Sequence, residues 1–487
     1  MFIIFFRKWF FVILIVLIFA LSGIYLIFRN KYIPVPTPVP IDIDSICFNS
    51  TFREKVYNVG CSFAIDKDGI IWVALSTAKV ASDIQIPADK TKLGDLCLLG
   101  IDPEKKEGEQ IVYNRCFVDS FFPIMNETNY SLAIDKDGII WLAGEKYTLL
   151  TLGGERSDNK LWILGIDPKK KESEQVVYNR CFADYVFDCI SPSITTGKDG
   201  KIWVSVTTLK KLTPDKEGIS FGRPANQSDI LLLGIDPKKQ ESEQIVYHRR
   251  LGSSRDEMAL AIAIDTDGNL WVLGRLSDYN EGDFDVPVSK NGERIWLFAI
   301  APDKSEDKQI VYNHRFGGYR SIVSITVGKD GVIWVLNSGL NARNISLTGI
   351  KNKRVVYDQI FEGNFNLYSV SLTVDTDGII WIATQPDLRN RRNYSYARYE
   401  VLLLGIDSKK KKDEQIVYNR SYERKNFISN LDNFYGDKMS FQTVYSMLIS
   451  ANGTLWMLGA SSDGSEDSCI RDDSPKRNLW LLGVKTP

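Results

Sequence analysis

Few residues in this chain are placed to do chemistry. Its 487 residues include two histidines, His248 and His314, each in or just after a recurring Ile-Val-Tyr segment. General acid–base or metal-assisted catalysis needs histidines and carboxylates that converge on one point. Two histidines at near-equivalent places in two repeats do not provide this. Asp68, Asp137, Asp199, Asp267, Asp330 and Asp377 occupy one shared position before a glycine, with Asn452 at the seventh. "DKDG" matches the opening of a calcium loop, but the later ligands of such a loop are missing. Exchange of Asp for Asn before Gly is what turn geometry alone allows. No phosphate-cradling glycine loop, nucleophile elbow or CxxC pair occurs. No catalytic residue, metal ligand or cofactor site follows from the sequence, and the chain reads as non-enzymatic.

The remaining candidates suit recognition. The stretch "DLRNRRNYSYARYE" interleaves Arg389, Arg391, Arg392 and Arg398 with Tyr394 and Tyr396, and Arg and Tyr are enriched at binding hot spots. Arg255, Asp256, Tyr319 and Arg320 form two smaller groups. With 60 basic against 61 acidic residues, nothing draws the chain toward nucleic acid. The seven cysteines have no metal-ligand spacing. Outside the cytoplasm, Cys61–Cys469 and Cys181–Cys189 become candidate disulfides.

These residues are held by a repeat. "AIDKDGIIW" appears twice, ending at Trp72 and Trp141. Variants end at Trp203, Trp271, Trp334, Trp381 and Trp456. Asp-Gly between apolar runs is a strong hairpin signal. A "LLGIDP"-like strand follows each hairpin, then a Lys/Glu turn, then an "IVYNR"-like strand. Seven four-stranded units predict an all-β, seven-bladed β-propeller. The chain ends on a third strand, "NLWLLGVKTP". An N-terminal strand at Lys55–Asn58 is expected to complete the seventh blade, with Tyr57 near Leu482, and so remove the free edges. The seven tryptophans read as packing between blades.

The two propeller faces differ. Turns within the first hairpin and between third and fourth strands are short and stereotyped, and read as a solvated rim. The opposite face carries the long insertions, including the Arg/Tyr stretch, and is where recognition is expected.

Ahead of the propeller, Trp9–Phe28 is an uncharged apolar run, about 30 Å long as a helix and enough to span a bilayer. Flanking charges favour a cytoplasmic N-terminus. The chain divides into an anchor (1–31), a stalk (32–44) with proline at every second position from Pro34 to Pro40, and the propeller (45–487). The alternative is a signal peptide cleaved at Ala20-Leu21-Ser22, giving a secreted protein.

The D-x-x-G-x-[IL]-W pattern, seen at Asp66–Trp72, Asp135–Trp141 and Asp375–Trp381, resembles the two-component regulator propeller repeat. That resemblance implies a seven-bladed extracytoplasmic sensor, here without the usual output domain. The expectation is a single-pass membrane protein whose propeller binds a protein, peptide or glycan partner without catalysis. The alternatives are a sensor whose output lies on another chain and a propeller hydrolase or lyase.

Overall fold

In the computed structural model, the Asp-Gly corners show why the nonapeptide repeats. Asp66 Oδ1 accepts the backbone N–H groups of Asp68 and Ile70, both at 2.9 Å, and Oδ2 accepts Trp72 Nε1–H at 2.9 Å. Asp135, Asp265 and Asp375 repeat the arrangement. In two blades a glycine, Gly197 or Gly328, replaces this aspartate. There Asp199 and Asp330 accept the N–H of Lys201 and Val332 at 3.1 Å, and their Oδ1 atoms fill the space a Cβ would need. The carboxylates of Asp66, Asp135, Asp265 and Asp375 thus hold both turn and indole, those of Asp199 and Asp330 the turn alone, while Asp68, Asp137, Asp267 and Asp377 give their turns only a backbone N–H.

The structure describes residues 32–36, 39–40, 46–56, 62–77, 95–106, 108–117, 130–146, 159–187, 192–209, 228–252, 257–276, 295–316, 324–338, 344–363, 365–386, 400–423, 439–463 and 477–486. These residues form a seven-bladed β-propeller. Blade 1 runs through Ser62–Ile65, Ile71–Thr77, Asp95–Ile101 and Ile111–Phe117 in simple up-and-down order. Blades 2 to 6 repeat it. Their first strands adjoin one another in turn, and the first strand of blade 7, Met439–Ile449, returns to that of blade 1. A single pair, Phe187 with Thr208, joins the sheets of blades 2 and 3.

Each of the seven blade interfaces holds one apolar cluster and one repeat tryptophan. Trp72 lies between blades 1 and 2, Trp141 between 2 and 3, and so on to Trp456 between 7 and 1. All seven are at most 5% exposed. The "LLGIDP" glycine makes room for them: a Cβ on Gly165 would stand 2.6 Å from Trp141 Cζ3 and 3.0 Å from Tyr178 Cβ. Trp141 and Tyr178 instead meet edge to face at 5.6 Å and 64°. Blade 4 has Ala299 at this position, and its Trp271–Tyr312 pair is tilted to 43°.

The Lys/Glu turns are only partly a solvated rim. Gln175, Gln244 and Gln415, each just before a fourth strand, are buried and accept hydroxyls from the preceding blade. Tyr113 donates to Gln175 at 2.8 Å, Tyr178 to Gln244 at 3.0 Å, Tyr247 to Gln309 at 2.9 Å and Tyr357 to Gln415 at 2.8 Å. Arg115, Arg180 and Arg249 reach the same glutamine oxygens. Burial raises the phenols of Tyr113, Tyr178, Tyr357 and Tyr418, and those of Tyr247 and Tyr312 to about 12. A folded value above the unfolded value of about 10 stabilises fully below pH ~10, and that stability is lost as pH rises further. The melting temperature should fall above pH ~10. Phenolate absorbance from these six tyrosines should appear together with unfolding.

An N-terminal strand does close the ring, but it starts earlier than expected and in another register, sharing only Lys55 and Val56 with the expected strand. The fourth strand of blade 7 is Ile46–Val56, paired antiparallel with Arg477–Lys485 so that Asn49 faces Leu482 and Val56 faces Arg477. Tyr57 and Asn58 lie outside the described residues. Phe48 sets this register by taking the tyrosine's place: its ring meets Trp456 edge to face at 5.4 Å, over Gly483.

The proline-rich segment lies along the propeller. Tyr32–Pro34 pairs in parallel with Ile360–Glu362 on the outer strand of blade 5, and Val39–Pro40 with Arg420–Ser421 on that of blade 6. Ile33 is buried in the cluster between blades 5 and 6, and Asn419 Nδ2 donates to the Pro36 carbonyl at 2.8 Å. Proline tolerates such edge positions because no ladder donor is needed on its outer side. No helix among the described residues is long and apolar enough to cross a membrane. The run Trp9–Phe28 lies outside them.

One disulfide is described, and it is neither of those expected from sequence. Cys97 and Cys116 face each other across the third and fourth strands of blade 1. Cys97 stands where blades 2 and 4 carry Trp162 and Trp296, whose indoles donate to Asn179 and Asn313 at 2.7 and 2.8 Å. The matching Asn114 Oδ1 in blade 1 is buried with no partner among the described residues. Cys61, Cys469 and Cys189 lie outside the described residues. Replacing Cys97 and Cys116 by alanine should cost about 3 kcal/mol, the closure entropy of a loop of this length, read as a lower urea midpoint. Cys97→Trp should recover part of it by giving Asn114 a donor.

Candidate functional site

The insertion-rich face is built where second strands end and third strands begin, and where fourth strands hand over to the next first strand. The sequence-selected residues sit in these connections. Arg255 and Asp256 fall between Gly252 and Glu257, Tyr319 and Arg320 between Phe316 and Ser324, and Arg389, Arg391, Arg392, Tyr394, Tyr396 and Arg398 between Pro386 and Glu400. All ten lie outside the described residues. The described structure gives the ground they spring from.

That ground is unusually polar between blades 3 and 4. Thr207 and Thr208 close the second strand of blade 3, Ser228 and Asp229 open its third, and Glu257 opens the first strand of blade 4. All are buried, Glu257 and both threonines at 0% and Asp229 at 5% exposure. Thr207 Oγ1 accepts the Ala259 N–H at 2.9 Å, tying blade 3 to blade 4. Arg250, ending the outer strand of blade 3, forms an ion pair with Asp229. Gly252 brings the two acids together: Glu257 Oε2 stands 2.9 Å from the point its Cβ would occupy, and Asp229 Oδ1 closer still. Only a residue without a side chain leaves room for both carboxylates.

A buried carboxylate needs pairing. Two carboxylates with a guanidinium form a buried polar cluster at the strand ends where blade 3 hands over to blade 4. Sequence reasoning reached the neighbours Arg255 and Asp256 but missed Asp229, Arg250 and Glu257. The available signal was a break in the repeat. Arg250 replaces the cysteine of "VYNRC"; Asp229 carried no such signal, because the matching place in the other blades is also polar (Asp95, Lys160, Arg294, Asn344, Glu400 and Asn478).

The histidines occupy outer strands, His248 opposite Leu233 and His314 opposite Leu297, away from the ring's inner strands; burial and the nearby Arg250 charge lower the pKa of His248. Among the described residues no group of three or more His, Cys, Asp or Glu could hold a metal ion.

No protein-family profile matches the chain, and no curated protein matches it. Solved structures do. One is an ulvan lyase, at 11% identity over 91% of this chain and 96% of that one, with a TM-score of 0.45. Another is a protein of unknown function from Dyadobacter fermentans, at 10% identity over 90% and 98%, with a TM-score of 0.41. A third is the intramolecular trans-sialidase of Ruminococcus gnavus, at 11% identity over 90% and 97%, with a TM-score of 0.38. Likeness at that level carries no statement about ligand or reaction.

Proposed function

We propose that this chain is a membrane-anchored, extracytoplasmic β-propeller that acts as a non-catalytic binding module through its insertion-rich face. The supporting observation is the difference between the faces. On one, corners and turns are short, near-identical and bonded into their own or the next blade. On the other, the strands end in buried polar groups and give way to long insertions rich in Arg and Tyr. A rigid scaffold presenting varied loops on one side is the usual architecture of recognition. The Cys97–Cys116 bridge supports a site outside the cytoplasm, where such bonds persist. The uncharged run at 9–28 supplies the anchor.

The contact residues on this reading are Arg389, Arg391, Arg392, Tyr394, Tyr396 and Arg398, with Arg255, Asp256, Tyr319 and Arg320 flanking them. Photo-crosslinking amino acids at Arg391 and Tyr396 in intact cells should capture one partner, and a crosslinker at Lys170 on the opposite face should not. Equal capture from both faces would refute the reading. An enzymatic reading has one feature in its favour, the adjoining Asp229 and Glu257 carboxylates. It predicts that Glu257→Gln abolishes a turnover that the binding reading does not expect.

A further inference from the structure

The hairpin joining the third and fourth strands of blade 5 departs from its counterparts. The other described turns of this class carry acids: Glu104 and Glu109, Glu172 and Glu174, Glu241 and Glu243, Glu306 and Asp307, Asp413 and Glu414. Blade 5 instead turns in two residues, and its tip reads Lys351-Asn352-Lys353-Arg354, with three cations and no acid. Asn352 and Lys353 both have positive φ, 50° and 62°, the geometry of a type I′ turn, where Asn-Gly is the favoured pair. Lysine therefore holds a position that the backbone would give to glycine. Directly after the tip, Val355 and Val356 are 47% and 57% exposed, more than any other large apolar residue described.

The path of the chain leads to the same place. Tyr32 pairs in parallel with Ile360 on this strand, so Tyr32 is the end of that pairing nearer the hairpin. The apolar run stops at Phe28, and Arg29, Asn30 and Lys31 are all that separate it from Tyr32. Four extended steps span at most about 14 Å. Four steps along the strand, from Ile360 back to Val356, cover about 13 Å.

We propose that the blade-5 tip, Lys351–Val356, docks on the anionic lipid surface into which residues 9–28 insert. Its cations meet headgroup phosphates and its two valines enter the interface. The short-turn face is then membrane-proximal, and the insertion-rich face is held outward toward its partner. This inference rests on the membrane-anchor reading above.

The test uses the full chain in vesicles, with a photo-crosslinking residue at Val356 or, on blade 2, at Lys170. Resistance to alkaline carbonate extraction reports the anchor separately. The expected result is a lipid adduct at Val356 and none at Lys170. Yield should be severalfold higher on vesicles with about 30 mol % phosphatidylglycerol than on pure phosphatidylcholine. In the Val356-labelled chain, Lys353→Gly should raise the melting temperature, since glycine suits the positive φ, and lower the adduct yield. A merely structural hairpin would show the first change without the second. Release by carbonate overturns the anchor and this inference with it. Retention without an adduct at Val356, or with equal adducts at both sites, overturns this inference alone.

Discussion

Replacing Phe48 by alanine should lower the stability of the whole ring by about 3–4 kcal/mol, the usual cost of emptying a buried aromatic site. The side chain is 7% exposed and belongs to the cluster between blades 7 and 1, where it packs against Trp456. Its strand is the one place where blade 7 is completed by a distant part of the chain. Losing it leaves the edge of Arg477–Lys485 unpaired, the kind of exposed edge that invites association between chains. A urea titration should show the lowered midpoint, and light scattering the accompanying self-association. The conservative change Phe48→Tyr should do the opposite. Every intact inter-blade bracket pairs a tyrosine hydroxyl with a glutamine of the next blade. Gln110 holds the equivalent sequence place in blade 1, and Phe48 carries no hydroxyl for it to accept. A net gain of about 1 kcal/mol is expected, and none would mean that Gln110 does not reach the ring closure.

Replacing Trp141 by alanine should cost about 4 kcal/mol. The indole is 2% exposed, donates to Asp135 at 2.9 Å and fills the space left by Gly165. Asp135→Ala removes the acceptor for two backbone N–H groups and the indole at once. It should cost less, about 2 kcal/mol, because the indole stays packed. Gly165→Ala should be milder still, at about 1–2 kcal/mol. Blade 4 already carries Ala299 and accommodates it by tilting Trp271 against Tyr312. Thermal denaturation of the three variants should keep that order. A Trp141→Ala cost below that of Gly165→Ala would show that the indole is not the principal inter-blade contact.

The repeat was legible because its causes are local. An Asp whose carboxylate folds back on the next four residues, a Gly at positive φ and a Trp six positions on are set by short-range geometry. Seven near-copies of that geometry imply seven blades. Even the need for a strand from the other end of the chain follows from counting. The two faces could be told apart for the same reason, since turn lengths are read directly from the sequence.

What the sequence left open depends on which strand lies beside which, and at what register. "CFNST" keeps only the aromatic and the asparagine of "VYNRC", whereas "KVYN" matches it more fully, yet Phe48 is the residue that fills the site. Cys97 and Cys116 become partners only once the third and fourth strands pair residue for residue. Parallel pairing of Tyr32–Pro34 and Val39–Pro40 on blades 5 and 6 leaves no local mark, because an edge strand needs backbone alone. Asp229 and Arg250 meet when the third and fourth strands of blade 3 pair, and Glu257 joins them only when blade 4 packs on blade 3. Local propensity sets the blades, and burial between them decides which charges and edges are brought together.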